Sequence, residues 1–208
     1  MLEILSLLAF LAAASLMLPP VEALPVQEDA EASQAIASER IELADGELIL
    51  KQTVTVDVGI EEAWGFFTEP EQIRLWMAPV ATADIRPGGA IRTHYDACAS
   101  VGDEGTIELE VVNFIPRRLL TLQSSLEPAR EASWMTDAIF ARQDDLYNVI
   151  QFEAIAPDRT RIVSWGLGYR QDPEWQAMLG FFIAGNEWSY SQLQSAIDGE
   201  QVWPPCNE

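Results

Sequence analysis

The strongest constraint on the fold is the last long apolar segment of the chain, between Asp172 and Asp198. Apolar side chains recur there at steps of three and four, and this period predicts a helix with one continuous buried stripe. Asn186 lies in the middle of the stripe, where a buried amide without partners costs about 1–3 kcal/mol. The middle of the segment is apolar on its other faces as well, so we expect the helix to cover another layer of the protein. The stripe comprises Trp175, Leu179, Phe182, Asn186, Tyr190, Leu193 and Ile197.

Upstream of this helix, short runs of alternating polar and apolar residues are typical of half-buried strands. A first strand is predicted at 47–58, followed by two short helices at 60–67 and 71–76. An antiparallel meander has one face to bury, and the long final helix is available to cover it, which predicts the α+β class. Six further strands are predicted at 81–85, 91–95, 105–114, 119–123, 147–156 and 160–169.

One segment interrupts the series of tight turns between these strands. Residues 127–144 contain Trp134, Met135, Ile139 and Phe140 and are therefore more than a polar loop. We predict a short helix or a flap over this range.

The charge of the chain limits its partners. The sequence has 12 Lys and Arg against 33 Asp and Glu, a formal net charge of −21. A field of that sign repels phosphate backbones and anionic lipid surfaces, so we expect no nucleic-acid partner. The acidic surface either keeps the protein soluble or docks a cationic partner.

The N-terminus has the pattern of a secretory signal peptide. An apolar run from Ile4 to Leu18 precedes small or apolar residues at the positions that a signal peptidase reads, ending at Ala23. The segment before the run contains Glu3 and no Lys or Arg, so a misassigned start codon or an uncleaved anchor stays open. The run is shorter than the ~20 residues that span a bilayer. We predict a periplasmic or secreted protein without a stable membrane anchor after cleavage.

These patterns divide the chain into a signal peptide at 1–23, an acidic linker at 24–46, one domain at 47–198 and a tail at 199–208. Two cysteines remain, Cys98 and Cys206. In an oxidising compartment an even pair favours a disulfide that ties the tail to a hairpin, against the alternative of two unrelated thiols.

Several short motifs occur in order along the predicted domain. They are Val54-Thr55-Val56, Glu62-Ala63-Trp64, Thr68-Glu69-Pro70-Glu71 with Trp76, Pro87-Gly88-Gly89 with Arg92, Glu104-Gly105 and Pro116-Arg117-Arg118-Leu119. Together they resemble the family named for activators of the Hsp90 ATPase, a branch of the START-like (SRPBCC) helix-grip superfamily. The resemblance implies a curved antiparallel sheet that grips the C-terminal helix, with a cavity between them. The superfamily mostly encloses apolar small molecules, and some members are cyclases, hydrolases or dehydratases, so a pocket is implied but no particular reaction.

Candidate catalytic groups are few. His94 is the only histidine, and an extended strand would place it on one face with Asp96 and Cys98, as a metal site or a Cys–His nucleophile requires. Zinc usually takes three or four protein ligands, and no second cluster supplies them. We therefore favour a histidine at the end of a hairpin, beside a disulfide, and expect neither a metal nor a cofactor.

Aromatic residues supply the candidate ligand contacts. Trp76, Trp134 and Trp175 lie where the helix-grip fold would place the rim or lid of a cavity, although core packing is the alternative for each. Arg92 either awaits a carboxylate ligand or pairs with a surface acid, which we favour. The predicted ligand-binding set is Trp76, Arg92, His94, Trp134, Trp175, Phe182 and Asn186.

Three functions follow from these observations. The first is non-catalytic binding of a small apolar or amphipathic ligand under the final helix, with Asn186 orienting its polar end. The second is a cyclase or hydrolase that uses His94 or an acid in the same cavity, which needs an inward titratable group. The third is an interaction module that docks a protein partner through the acidic surface and residues 134–140.

Overall fold

Eight antiparallel strands form one curved sheet in the computed structural model, which describes residues 36–206. The strands are β1 (Ala37–Glu42), β2 (Glu47–Val56), β3 (Val80–Ala83), β4 (Ala90–His94), β5 (Ile107–Ile115), β6 (Leu119–Ser124), β7 (Tyr147–Ala156) and β8 (Arg159–Arg170). The helices are α1 (Ile60–Thr68), α2 (Pro70–Trp76), α3 (Asp137–Phe140) and α4 (Gln176–Ile197), with 3₁₀ turns at Glu127–Ala129, Gln143–Asp145 and Pro173–Trp175. The predicted α+β helix-grip architecture is confirmed.

The sheet order is β1-β2-β8-β7-β6-β5-β4-β3. Strand β2, near the start of the domain, therefore pairs with β8, the last strand of the chain. Strands β3 to β7 each pair with the next strand in the chain, as expected for a meander. Helices α1 and α2 follow β2 directly, and Pro70 at the first turn of α2 sets the backbone angle there because its ring fixes φ.

Strand β1 is an element that the sequence patterns do not predict. It lies within the predicted acidic linker and pairs with β2 from Ala37 opposite Thr53 to Glu42 opposite Leu48. Five of its six side chains are exposed, so the strand carries almost no apolar signal. Backbone pairing at the edge of the sheet stabilises it, together with an ion pair of 3.1 Å between Lys51 and Glu39. The predicted signal peptide and residues 24–35 of the predicted linker lie outside the described residues.

Side chains from the inner face of the sheet and from the helices form two apolar clusters. The first cluster lies under α1, α2 and the C-terminal half of α4 and includes Phe67, Trp76, Ile91, Leu120 and Leu193. The second cluster lies under the N-terminal half of α4 and includes Leu50, Trp134, Ile139, Trp175 and Leu179. Helix α4 therefore contributes to both clusters along its length.

The segment between β6 and β7 forms the predicted short helix, α3, flanked by 3₁₀ turns. Thr136 caps α3, because its Oγ1 accepts a hydrogen bond of 3.1 Å from the backbone N–H of Ile139. We call residues 125–146 the insert. Gly168 in β8 lets the backbone of the insert approach the sheet closely. The φ angle of Gly168 is +86°, and a Cβ there would lie 2.1 Å from the carbonyl oxygen of Asp145.

No helix within residues 36–206 combines the length and the apolar composition that a membrane crossing requires.

Candidate functional site

The inner face of the sheet turns toward α4, and alternation along β2 sets which side chains line it. Leu48, Leu50, Gln52, Val54 and Val56 are buried, while the residues between them are partly exposed. Leu48 and Leu50 belong to the second cluster, and Val54 and Val56 belong to the first. Gln52, only 1% exposed, separates the two groups.

A band of polar side chains crosses the space between the helix and the sheet at this level. Gln52 lies opposite Ser164 in the pairing of β2 with β8. From α4, the Asn186 amide nitrogen donates a hydrogen bond of 2.7 Å to Oε1 of Gln52. From the sheet, the Ser164 hydroxyl donates one of 2.6 Å to Oδ1 of Asn148. With Tyr190, which hydrogen-bonds Ser164, these residues form what we call the polar belt.

Tyr190 is the ionisable member of the polar belt. Burial raises its pKa to about 12, and the hydrogen bond with Ser164 partly offsets that rise. Burial also raises the pKa of Tyr169, in the second cluster, well above its ordinary value. Both phenols are therefore neutral at physiological pH, and Tyr190 acts there as a hydrogen-bonding group.

Strand β1 extends the polar belt toward solvent. Nε2 of Gln52 donates to the Ser38 hydroxyl at 3.0 Å and to the carbonyl oxygen of Ile183 at 3.4 Å. The Ser38 hydroxyl in turn donates to Oε1 of Glu187 at 2.7 Å, and Glu187 is the only charged residue between 176 and 197. The edge strand thus fixes α4 to the sheet beside the belt.

Asn186, the odd residue of the predicted stripe, has a partner in this arrangement. Its amide satisfies the buried Gln52, so the polar residue in the stripe is matched to a polar residue on the sheet. The sequence alone does not pair them. Gln52 stands out only once the alternation of β2 is known to place it inside.

The predicted tryptophans are buried in the clusters. Trp76 is 3% exposed, stacks on the Tyr190 ring at a centroid distance of 6.3 Å, and donates to the carbonyl oxygen of Phe66 at 2.7 Å. Trp175 is 2% exposed in the second cluster. Both are core residues in this structure, which was the alternative to a cavity rim.

Trp134 and Phe182 join the insert to α4. The Trp134 ring contacts the rings of Phe181 and Phe182 at centroid distances of 5.2 and 5.7 Å, and Phe182 also contacts Tyr169. Trp134 and Ile139 are buried, whereas Met135 and Phe140, which belong to the same segment of the interaction hypothesis, are partly exposed. The insert contributes Leu126, Trp134, Ile139 and Leu146 to the second cluster.

Arg92 and His94 differ from the prediction that they line the cavity. Ile91 belongs to the first cluster, and alternation along β4 places Arg92 and His94 on the opposite, outer face. Arg92 is half-exposed there and pairs with Glu108 at 2.5 Å, the surface ion pair that we favoured.

The His94 ring is enclosed by the loop that follows β4. Its Nδ1 accepts a hydrogen bond of 3.0 Å from the backbone N–H of Asp96, and its Nε2 lies 2.9 Å from the carbonyl oxygen of Glu104. Gly105 allows this, because φ is +94° there and a Cβ would lie 3.2 Å from Nε2. Both ring nitrogens are engaged by backbone, which gives His94 a structural role in this loop. No group of three metal-ligating side chains occurs within the described part of the chain.

The cysteines lie away from the polar belt. Cys98 and Cys206 form a disulfide that links the tail to the loop after β4, across a sequence separation of 108 residues. Beside it lies an open groove of about 320 Å³. Its lining includes Arg74, Leu75 and Pro79 on one side and residues 200–206 on the other.

Solved structures share this fold. CalU16 from Micromonospora echinospora aligns with a TM-score of 0.54 at 17% identity, over 81% of this chain and 86% of that protein. Ms6760 from Mycobacterium smegmatis aligns with a TM-score of 0.53 at 16% identity, over 79% and 99% of the two chains. MLL2253 from Mesorhizobium loti aligns with a TM-score of 0.53 at 18% identity, over 72% and 97%. These likenesses establish the fold.

A search of curated proteins found no match. The family model described as "Activator of Hsp90 ATPase homolog 1-like protein" matches residues 57–198, which is most of the domain. The resemblance drawn from the ordered motifs is therefore confirmed, and the chain belongs to the family of Activator of Hsp90 ATPase homolog 1-like proteins.

Proposed function

We propose that this protein binds a small apolar or amphipathic molecule between α4 and the sheet, without turnover. The observation that carries the proposal is the polar belt, which lies between two apolar clusters in the layer where a helix-grip fold can hold a ligand. Ligand sites are mostly apolar, with a few polar groups that fix orientation. The belt supplies amide and hydroxyl groups of that kind.

The chemistry of the belt supports binding over proton transfer. Its ionisable group, Tyr190, has a pKa of about 12 and is neutral at physiological pH. A general base requires a pKa near the operating pH, which a buried phenol does not have. His94, the best residue of the enzyme hypothesis, has both ring nitrogens engaged on the outer face. The site therefore suits a ligand that is held by its shape and by one or two hydrogen bonds.

A ligand enters this layer only if side chains move. Leu179 and Leu193 on α4 have no solvent exposure, so a bound molecule must displace α4 or its neighbours from the sheet. The insert offers the route, because it covers the second cluster and contacts α4 through Trp134. We infer that the ligand carries apolar rings, which replace these aromatic contacts, and one hydroxyl or carbonyl group that reaches the belt.

The experiment compares two probes of similar shape, naphthalene and 2-naphthol, by their own fluorescence on titration with the full chain. Organic extracts of the purified protein are analysed by mass spectrometry in parallel. We expect saturable binding of both probes, and Tyr190→Phe should weaken 2-naphthol about 5- to 10-fold, because one neutral hydrogen bond contributes about 1 kcal/mol. Naphthalene binding should be unchanged.

Tyr95→Phe is the matched control, because Tyr95 is half-exposed outside the belt. Absence of saturable binding by either probe, together with extracts equal to a blank, would refute the proposal. An equal loss for both probes in Tyr190→Phe would show that the belt has no orienting role.

A second candidate is a protein-interaction surface on the outer side of α4. Phe181 and Trp188 are 53% and 46% exposed there, which is unusual for large aromatic side chains. Trp188→Ser should remove binding of a protein partner in chemical cross-linking and leave probe binding intact, because Trp188 has no ring contact with the insert in the described part of the chain. The reverse result would favour the ligand site alone.

We also propose that the protein acts outside the cytoplasm. The apolar run and the Ala23 site at the N-terminus support export, and the Cys98–Cys206 disulfide suits an oxidising compartment. Expression of the full chain, cell fractionation and N-terminal sequencing test this. A cytoplasmic product that retains Met1 would contradict it.

A further inference from the structure

The C-terminal residues lie across the outside of the domain as a strap. Helix α4 ends at Ile197, and Gly199, with φ of +80°, turns the chain out of the helix while its N–H bonds the carbonyl oxygen of Ala196. Residues 201–206, which we call the strap, then reach the loop after β4, where Cys206 bonds to Cys98.

Apolar contacts hold the strap in place beside the disulfide. The Trp203 ring packs edge-on against Trp188 of α4 and Tyr95 after β4, at centroid distances of 5.6 and 5.9 Å. Val202 packs against the first cluster. The strap also forms one wall of the groove whose opposite wall includes Leu75 of α2.

Three of the residues around the strap remain half-exposed beside it. Leu75, Tyr95 and Trp188 are 48%, 51% and 46% exposed, so the strap only partly covers an apolar area that continues past its edges. Removing the strap would expose the part of the first cluster that Val202 contacts. Together with Leu75, Tyr95 and Trp188, that part would form one larger apolar surface. Surfaces of that kind are typical interaction sites.

The bond that fastens the strap is accessible from solvent. Both Cys98 and Cys206 are exposed residues, in contrast to the buried position of many structural disulfides. Accessible disulfides are the ones that exchange readily with thiols, because an attacking thiolate must reach a sulfur atom in line with the bond. The disulfide that holds the strap in place is therefore also open to attack by a reductant.

We propose that the Cys98–Cys206 disulfide is a redox clasp, and that its reduction releases residues 201–206 and uncovers an apolar surface formed by Leu75, Tyr95 and Trp188. The reductant is a dithiol. Its thiolate attacks one sulfur, the S–S bond breaks, and a mixed disulfide forms. The second thiol then displaces the remaining cysteine. The protein gains two electrons and two protons as two thiols, and the dithiol is oxidised to a disulfide.

The test follows the strap and the domain separately in the full chain. Glu200 precedes the strap, so a protease that cleaves after glutamate reports its release as a fragment ending at residue 200, measured by mass spectrometry after denaturation and reduction. We expect dithiothreitol to raise the rate of that cleavage at least about tenfold, because cleavage requires the local opening of the substrate segment. Amide hydrogen exchange in β2 and β8 should remain protected.

The variant Cys98→Ser/Cys206→Ser should be cleaved at the reduced rate with or without dithiothreitol. Equal cleavage of the oxidised and reduced wild-type protein would overturn the proposal, since the strap would then not depend on the bond. Exchange in β2 and β8 as fast as in the denatured chain on reduction would also overturn it, because the disulfide would then be required for the whole domain to fold and not only for the strap.

Discussion

The pairing of Asn186 with Gln52 predicts an asymmetric response to mutation. Asn186→Leu leaves Oε1 of Gln52 without its donor at 2.7 Å, in a side chain that is 1% exposed. An unsatisfied buried acceptor costs about 1–3 kcal/mol, and little of this is recovered because water does not reach the site. We therefore expect the free energy of unfolding to fall by about 2 kcal/mol in Asn186→Leu.

Gln52→Leu should cost less, although it removes more hydrogen bonds. The groups that it leaves behind are Asn186, which is half-buried, Ser38, which is exposed and keeps its bond to Glu187, and the carbonyl oxygen of Ile183, whose bond of 3.4 Å is long. The first two matter most. Both can be hydrated, so we expect a loss of about 1 kcal/mol. In the double variant Gln52→Leu/Asn186→Leu neither partner is left unsatisfied, and the total loss should be smaller than the sum by about 1–2 kcal/mol.

Urea denaturation at 25 °C, followed by far-UV circular dichroism, measures these differences from the midpoint and the m-value. Gln192→Leu is the control: this half-buried side chain of α4 bonds only its neighbour Ser191 at 3.4 Å among the described contacts, so its effect should stay within about 0.5 kcal/mol. Additivity of the two single variants within about 0.5 kcal/mol would refute the reasoning, because the amides would then not be coupled.

Three further predictions test the backbone, the disulfide and the buried phenol. Gly168→Ala should destabilise the domain by at least about 2 kcal/mol in the same urea assay, because φ is +86° and the new Cβ would lie 2.1 Å from the Asp145 carbonyl oxygen. Gly180→Ala is the control: this glycine lies in open space on α4, so the change should stabilise the domain by up to about 1 kcal/mol. Replacing both cysteines with serine should lower the free energy of unfolding by about 2–5 kcal/mol, because the bond closes a span of 108 residues, and an unchanged urea midpoint would contradict this. The pKa of Tyr190 is about 12 in the folded protein against 10.0 for a solvent-exposed tyrosine. The contribution of the neutral phenol to the free energy of unfolding is therefore complete below pH 10 and is lost as the pH rises toward 12, by up to about 3 kcal/mol. Tyr190→Phe should flatten that decline in thermal melts between pH 9 and 11.

The order of most elements along the chain and the long final helix could be predicted from the sequence because each of these elements has a strong local pattern. Alternation identified β2 and β5, and the three-and-four spacing identified α4. Strand β1 could not be found in this way, because an exposed edge strand is stabilised by backbone pairing and needs no apolar face.

The candidate site was only partly predictable for a related reason. Asn186 stood out because a polar residue interrupted an apolar stripe, whereas Ser164 and Asn148 do not stand out until the register of β7 and β8 brings them together. His94 and Arg92 attracted attention by their residue type, but a single alternation step on β4 turned both to the outer face. Which face of a short strand is buried depends on its neighbours, and two or three residues of pattern do not decide it.

The position of Gln52 has a consequence for the order of folding. Its hydrogen-bond partner on α4 is 134 residues further along the chain, and the strand that pairs beside it, β8, immediately precedes that helix. Contacts of such separation form late, because the entropy of closing a long loop must be overcome before they stabilise the chain. A nascent or truncated chain that ends before β8 therefore presents the inner edge of β2, with its one buried amide, to solvent. We expect the part of the chain from β8 onward to determine when the rest becomes resistant to aggregation.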